Sequence, residues 1–277
     1  MEEELRARAL AVLCERDPDR KARLAQDLQL VAGKLPIAAH APVASAPVPG
    51  RPARPVIVHP AKVPRRSPHQ SGGLAALLHA IAHIEFNAIN LALDAAWRFD
   101  GMPADYYRDW VHVAGEEGLH FTLLAALLAQ EGHAYGDFPA HAGLWTMCER
   151  TAGDVTARMA LVPRVLEARG LDATPRIQAT LRRVGSETAA IAVKVLDVIL
   201  ADEVGHVAIG NRWYRWLCER DGLDPAAHAA ALSARHDAPG VFPPFNEDAR
   251  LRAGFTAQEL AGMAAAAATS RGGDTSP

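Results

Sequence analysis

Aromatic residues make up only 6% of this 277-residue sequence, and β-branched residues rarely cluster, so little in it favours a sheet. No stretch of 18 uninterrupted apolar residues occurs, which leaves no evident membrane span. Charge of one sign is not in excess either. With 29 basic against 32 acidic side chains and a net charge of −3, the chain has no global attraction for a polyanion, and generic nucleic-acid binding is not expected. Cysteine is scarce: Cys14, Cys148 and Cys218 are odd in number, far apart and in no CxxC pair. That excludes a disulfide framework and suits a reducing compartment. The opening segment MEEELRARAL is acidic and has no apolar h-region, so a cytoplasmic location is expected.

What the sequence does contain is alanine and helical periodicity. Its apolar share of 49% and mean hydropathy of −0.02 describe a soluble globular chain, and the composition favours closely packed helices, an all-α fold. Residues 1–32 read as a helical hairpin turned at Asp17-Pro18-Asp19. Residues 33–70 read as a Pro-rich extended linker packed on the rest of the protein, because nine of the 19 prolines fall between Pro36 and Pro68. Within it Val56-Ile57-Val58 has the character of a short strand. Arg51 to Arg66 holds five Lys or Arg and no acid, a local basic run whose plain reading is a solvated linker.

Residues 71–222 change character. Gly73–Phe99 and Ala104–Gln130 read as helices separated by Asp100-Gly101-Met102-Pro103. A third helical stretch from about 147 to Arg169 carries a kink at Pro163, and a break is expected over Gly170–Pro175. A short helix to Arg183 ends at Gly185-Ser186, and a long helix follows to Arg220. Four long helices in two hairpins joined by a longer connection form the ferritin-like variety of four-helix bundle. Residues 223–268 read as a loop, centred on 236–245, and a short helix, and 269–277 as a disordered tail.

Two segments carry Glu-x-x-His: Glu117 with His120, and Glu203 with His206. At i and i+3 a carboxylate and an imidazole share one helical face. Both motifs lie inside apolar stripes. Trp110, Val113, Glu117, His120, Leu124 and Leu127 advance by 3, 4, 3, 4, 3, and Ala192, Leu196, Ile199, Glu203, His206, Gly210 and Trp213 by 4, 3, 4, 3, 4, 3. Such groups are costly to bury without a partner, and divalent metal ions supply one. The arrangement calls for a glutamate from each of the other two helices.

Glu85 is the only ionisable member of the seam Leu74, Leu78, Ile81, Glu85, Ala88, Ala92, Ala95. It stands 16 residues before Gly101 (101 − 85) and Glu117 stands 16 after it (117 − 101), so an antiparallel hairpin sets them level. In the second hairpin Glu203 lies 18 residues after Gly185 (203 − 185) and Glu167 lies 18 before it (185 − 167), which selects Glu167, with Asp154 and Glu187 as rivals. Six metal ligands result: Glu85, Glu117, His120, Glu167, Glu203 and His206. Oxygen and imidazole donors without thiolate suit Fe or Mn better than a structural zinc. Glu116 and Asp202 precede the two motifs and are placed to accept a hydrogen bond from the outer ring nitrogen of the histidine on the opposite helix. His79 and His83 face elsewhere and read as packing or capping residues. Tyr106, Tyr107, Trp110, Trp213 and Trp216 read as core.

The stretches LHAIAHIEFNAINLALD (78–94), GEEGLHFTLL (115–124), YGDFPAHAGLW (135–145), VLEARGLDATP (165–175), DEVGHVAIGNRWY (202–214) and PPFNEDARLRAGF (243–255), with VPRR at 63–66, resemble a bacterial ferritin-like family of unknown function that is distantly similar to the diiron tRNA hydroxylase. The likeness covers nearly the whole chain. It implies the same six ligands, two Fe ions or an Fe/Mn pair as cofactor, and Glu116 and Asp202 as the acids behind the ligands. It also sets Gly118 where relatives often carry a larger residue, a change that would enlarge the pocket.

The expected activity is that of a diiron oxidoreductase, with Glu85, Glu117, Glu167 and Glu203 as the catalytic carboxylates. Its partners would be O2, a small-molecule substrate and an external reductant, with no membrane, and a homodimer is one assembly open to it. Two alternatives stand beside it. One is iron handling without an organic substrate, against which the roughly 70 residues ahead of the bundle speak, since a storage cage needs a compact unit. The other is tRNA modification, for which the basic run offers local phosphate contacts.

Overall fold

The computed structural model describes residues 4–40, 46–64 and 66–272, the side chains of 269–272 excepted. The described residues are all-helical, and their single β contact is an isolated parallel bridge between Ile57 and Ala140. They fall into two compact units. One comprises the residues up to Thr146 together with Ala179–Leu196, and the other Met147–Gln178 together with the residues from Asp197 onward.

In the first unit, α1 (Leu5–Leu13) starts where the Glu4 carboxylate accepts the N–H groups of Arg6 and Ala7, and α2 (Pro18–Val31) where Asp17 accepts that of Arg20. Pro18 fits there because the first turn has no use for its missing donor. α3 (Gly73–Arg98) and α4 (Ala104–Gln130) form the antiparallel pair, turned at Gly101 with φ +69°. α1 packs on α3 and α2 on α4, so the N-terminal hairpin covers the pair. That cover corrects one expectation. Gly118 opens no pocket: a Cβ there would stand 2.6 Å from the Ala22 carbonyl oxygen, so the residue is small because the α2 backbone lies against it. α3 has the length and apolarity of a membrane span, and 72% of its most apolar window is buried inside the protein, as in a core helix.

Two buried cations tie the Pro-rich arm to this pair. Arg6 donates to the carbonyls of Trp97, Ala38 and Ala39 at 3.1, 2.7 and 3.1 Å. Lys21 Nζ donates to Gly50 O at 3.0 Å and to Asn90 Oδ1 at 2.6 Å, with the Phe86 ring 5.1 Å away. The expected strand at 56–58 shrinks, among the described residues, to one bridge, in which the Val58 N–H reaches Ala140 O and the Ala140 N–H reaches Val56 O.

Burial lowers the Lys21 pKa from its ordinary 10.5 to about 7. Between those values the unfolded chain binds the extra proton, so this group makes stability rise with pH across that window, by at most about 1.4 kcal/mol per unit. Urea unfolding at pH 7, 8.5 and 9.5 is therefore expected to show wild type gaining on Lys21→Met as pH rises. A constant gap would contradict the burial of a titrating amine.

In the second unit the chain departs from the expected single kinked helix. α5 (Gly143–Arg150) ends within the segment that opens this unit, and Asp154 caps α6 (Val155–Leu161) by accepting the Ala157 N–H at 2.8 Å. Residues Val162–Glu167 then form a π-helical turn containing Pro163, and α7 (Ala168–Val184) continues straight through Pro175. The break expected over 170–175 is thus absent. Pro175 cannot donate to Leu171 O, but the Asn246 side-chain amide does so instead, at 3.2 Å. α8 (Glu187–Asp221) is the long helix expected. Beyond it the structure forms three helices, α9 (Pro225–Arg235), α10 (Glu247–Arg252) and α11 (Ala257–Gly272), where one short helix was expected. The core of this unit gathers Ala168, Leu171 and Val207 with Ala249, Ala253, Phe255 and Leu260. The tail expected to be disordered from 269 is corrected in part: residues 269–272 belong to α11, and 273–277 lie outside the described residues.

Candidate metal centre

Each of the three seams read from the sequence is buried along its length. On α3 Glu85 is 3% exposed, on α4 Glu117 and His120 are 0% exposed, and on α8 Glu203 and His206 are 7% and 1% exposed. Glu167, at the end of the π-helical turn, is also buried. Of its two rivals, Asp154 is a helix cap, and Glu187 is exposed at the start of α8.

Within the first unit Glu85, Glu117 and His120 converge, each offering a ligand atom within 4.8 Å of the others, and such a group could hold a metal ion. His120 Nδ1 stands 3.3 Å from Glu117 Oε2 and 3.4 Å from Glu85 Oε2. Nδ1 is therefore the nitrogen turned toward the carboxylates. Glu85 Oε2 is buried and accepts no hydrogen bond. Burial first, and then the charge of Glu117, push the Glu85 pKa above its ordinary value. A dication between the carboxylates would offset both causes by stabilising the ionised forms, so the donor set fits a hard or borderline divalent ion. Within the second unit Glu203 and His206 lie one turn apart on α8.

Glu116 and Asp202 are both half-buried. Glu116 stands 3.4 Å from His112 Nε2, one turn away on its own helix. His79 and His83 latch the loop that follows α4. The Gly136 N–H donates to His79 Nε2 at 2.9 Å, while His83 Nε2 faces His141 O at 3.0 Å and so donates, leaving Nδ1 to accept from the Tyr135 hydroxyl at 2.8 Å. Burial lowers both histidines to about 4, so they are neutral at pH 7. The cavity beside His83, about 60 Å³, is lined also by Phe86, Asn87, Asn90 and Tyr135. Tyr106, Tyr107 and Trp110 are core, and Trp213 packs edge-on against Trp216.

Sequence reasoning missed Arg164, which lies three residues before Glu167 and is 4% exposed. An arginine in the seam of a buried helix was the available signal, since it needs an acidic partner.

Fold and site together define an all-helical protein with buried carboxylate and imidazole groups able to hold a metal ion. The chain belongs to the family described as protein of unknown function (DUF455), whose model matches residues 14–261. It is similar to an uncharacterized protein of Haemophilus influenzae, 50% identical over 216 residues that cover 76% of this chain and 74% of that one. No solved structure matches it.

Proposed function

We propose that this protein is a non-haem diiron, or iron–manganese, oxidoreductase that uses O2 to oxidise or hydroxylate a small-molecule substrate. The observation that carries the reading is the convergence of Glu85, Glu117 and His120, buried and within 4.8 Å of one another. The repeat of Glu-x-x-His on α8 and the equal offsets of Glu167 and Glu203 from Gly185 support a second set of donors. In this reading α3, α4, the segment bearing Glu167 and α8 make a ferritin-like bundle, and six residues hold two ions: Glu85, Glu117, His120, Glu167, Glu203 and His206.

When bound, the metal pair supplies the reduction of O2. In a hydroxylation one oxygen atom enters a substrate C–H bond, and the other leaves as water with two protons and two electrons from an external reductant. The chain's own residues hold four carboxylates in an apolar surround, which keeps water from competing and balances the charge of the cations. Glu116 and Asp202 keep the ring orientation and tautomer of the histidines. A reducing cytoplasm suits both the reductant and the three cysteines, none of which forms a disulfide.

Anaerobic Fe(II) titration followed by admission of air is expected to give a transient visible absorption band in wild type and none in Glu203→Ala. A protein that takes up neither Fe nor Mn would end this reading.

A further inference from the structure

The π-helical turn Val162–Glu167 is held by a buried ionic network that the six-ligand reading does not use. Pro163 faces Gly210, where an added Cβ would stand 2.3 Å from the proline Cβ, so the turn lies against bare backbone of α8. The next residue, Arg164, donates from Nε to Asn211 Oδ1 at 2.5 Å and from Nη2 to Glu259 Oε1. Its guanidinium lies 4.5 Å from the Tyr214 ring centre and 5.3 Å from that of Phe255. Glu259, on α11, accepts Arg215 Nη2 at 3.1 Å and the Thr256 N–H at 2.8 Å through its other oxygen. Asn211 Nδ2 in turn donates to Ala253 O at 2.7 Å. Burial raises the Glu259 pKa, but the Thr256 N–H and the two arginines outweigh it and hold the carboxyl below its ordinary value.

A buried ion pair is a poor source of stability, since apolar side chains of the same volume often do as well or better. What this one adds is direction. The guanidinium fork is fixed at two nitrogens and packed by two aromatic rings, which sets the rotation of the turn three residues before Glu167. A π-helical turn replaces the i→i+4 bonds of an α-helix with i→i+5 bonds, a rare geometry found frequently at functional sites.

We propose that Arg164 and Glu259 form a positioning clamp for Glu167: α11 holds the π-helical turn, through Arg164, in the register that offers the Glu167 carboxylate to a divalent cation. The proposal rests on the reading of Glu167 as a ligand. Partners standing behind a ligand typically contribute 10–100-fold to metal affinity, and a loss of about that size is expected when the clamp is broken.

The test is a double-mutant cycle on the full-length chain, with Mn(II) binding followed by the EPR signal of the free ion. Glu167→Gln, which removes a ligand, is expected to weaken binding by more than about 100-fold, and Glu259→Gln, which removes only its support, by about 10–100-fold. The pair together should bind no more weakly than Glu167→Gln alone, because Glu259 acts only through Glu167. Arg164→Lys, which keeps the charge and loses the fork, should fall between wild type and Glu259→Gln, and it serves if Glu259→Gln does not fold. An effect of Glu259→Gln that persists undiminished in the Glu167→Gln background would show a merely structural role and overturn the clamp. So would wild-type affinity in both Glu259→Gln and Arg164→Lys. Wild-type affinity in Glu167→Gln would instead overturn the ligand reading, and the clamp with it.

Discussion

Glu117→Gln is expected to weaken Mn(II) or Fe(II) binding by more than about 100-fold, beyond the range of residues that only support a ligand, while raising the melting temperature of the metal-free protein. The two signs follow from one geometry. Glu117 is fully buried beside His120 and Glu85, and its charge is one of the two causes that raise the Glu85 pKa. Glutamine keeps the volume, removes that repulsion and removes an anionic donor. Without metal, the relief is worth about 2–4 °C for each kcal/mol recovered in a chain of this size. Calorimetry of metal-free wild type and variant checks the first sign, and a titration checks the second. A glutamate with a purely structural role would lower the melting temperature on neutralisation, and metal binding would be unaffected.

Gly118→Val is expected to cost about 3 kcal/mol, the upper end of overpacking penalties. The added atoms meet the Ala22 carbonyl oxygen at 2.6 Å, and backbone cannot rotate out of the way as a side chain can. α2 would have to shift off α4 as a body. Urea unfolding measures the loss. If position 118 instead bordered an open pocket, valine would leave stability unchanged, and the account of α2 as a cover over the site-bearing pair would fall.

The site was legible in the sequence because a buried carboxylate interrupts an apolar stripe at a definite phase. The seam through Glu117 and His120 on α4 and that through Glu203 and His206 on α8 are buried residue for residue. Counting from Gly101 found Glu85, and the structure sets it beside Glu117 and His120. Such signals are local to a helix or to one hairpin. What escaped depends on partners far along the chain. Helix α7 survives Pro175 because Asn246 supplies the donor that proline lacks. His79 and His83 read as packing or capping residues, but their partners Gly136, Tyr135 and His141 lie 52–58 residues further on and were not legible. Gly118 reads as empty space until the α2 backbone fills it. The basic run gave the opposite result: Arg51, Arg54, Lys62 and Arg66 are exposed, as its plain reading expects, and Arg65 lies outside the described residues.

The proposed function requires that buried Glu and His side chains hold a pair of redox-active metal ions. Elemental analysis of untagged protein, purified without chelator from cells grown with iron and manganese, tests it most directly. The account predicts about two ions of Fe, or of Fe and Mn, per chain, the stoichiometry of a dinuclear carboxylate site, with most of both lost in Glu85→Ala and in Glu203→Ala. Wild-type protein with no bound Fe or Mn, or variants that keep the wild-type content, would contradict it.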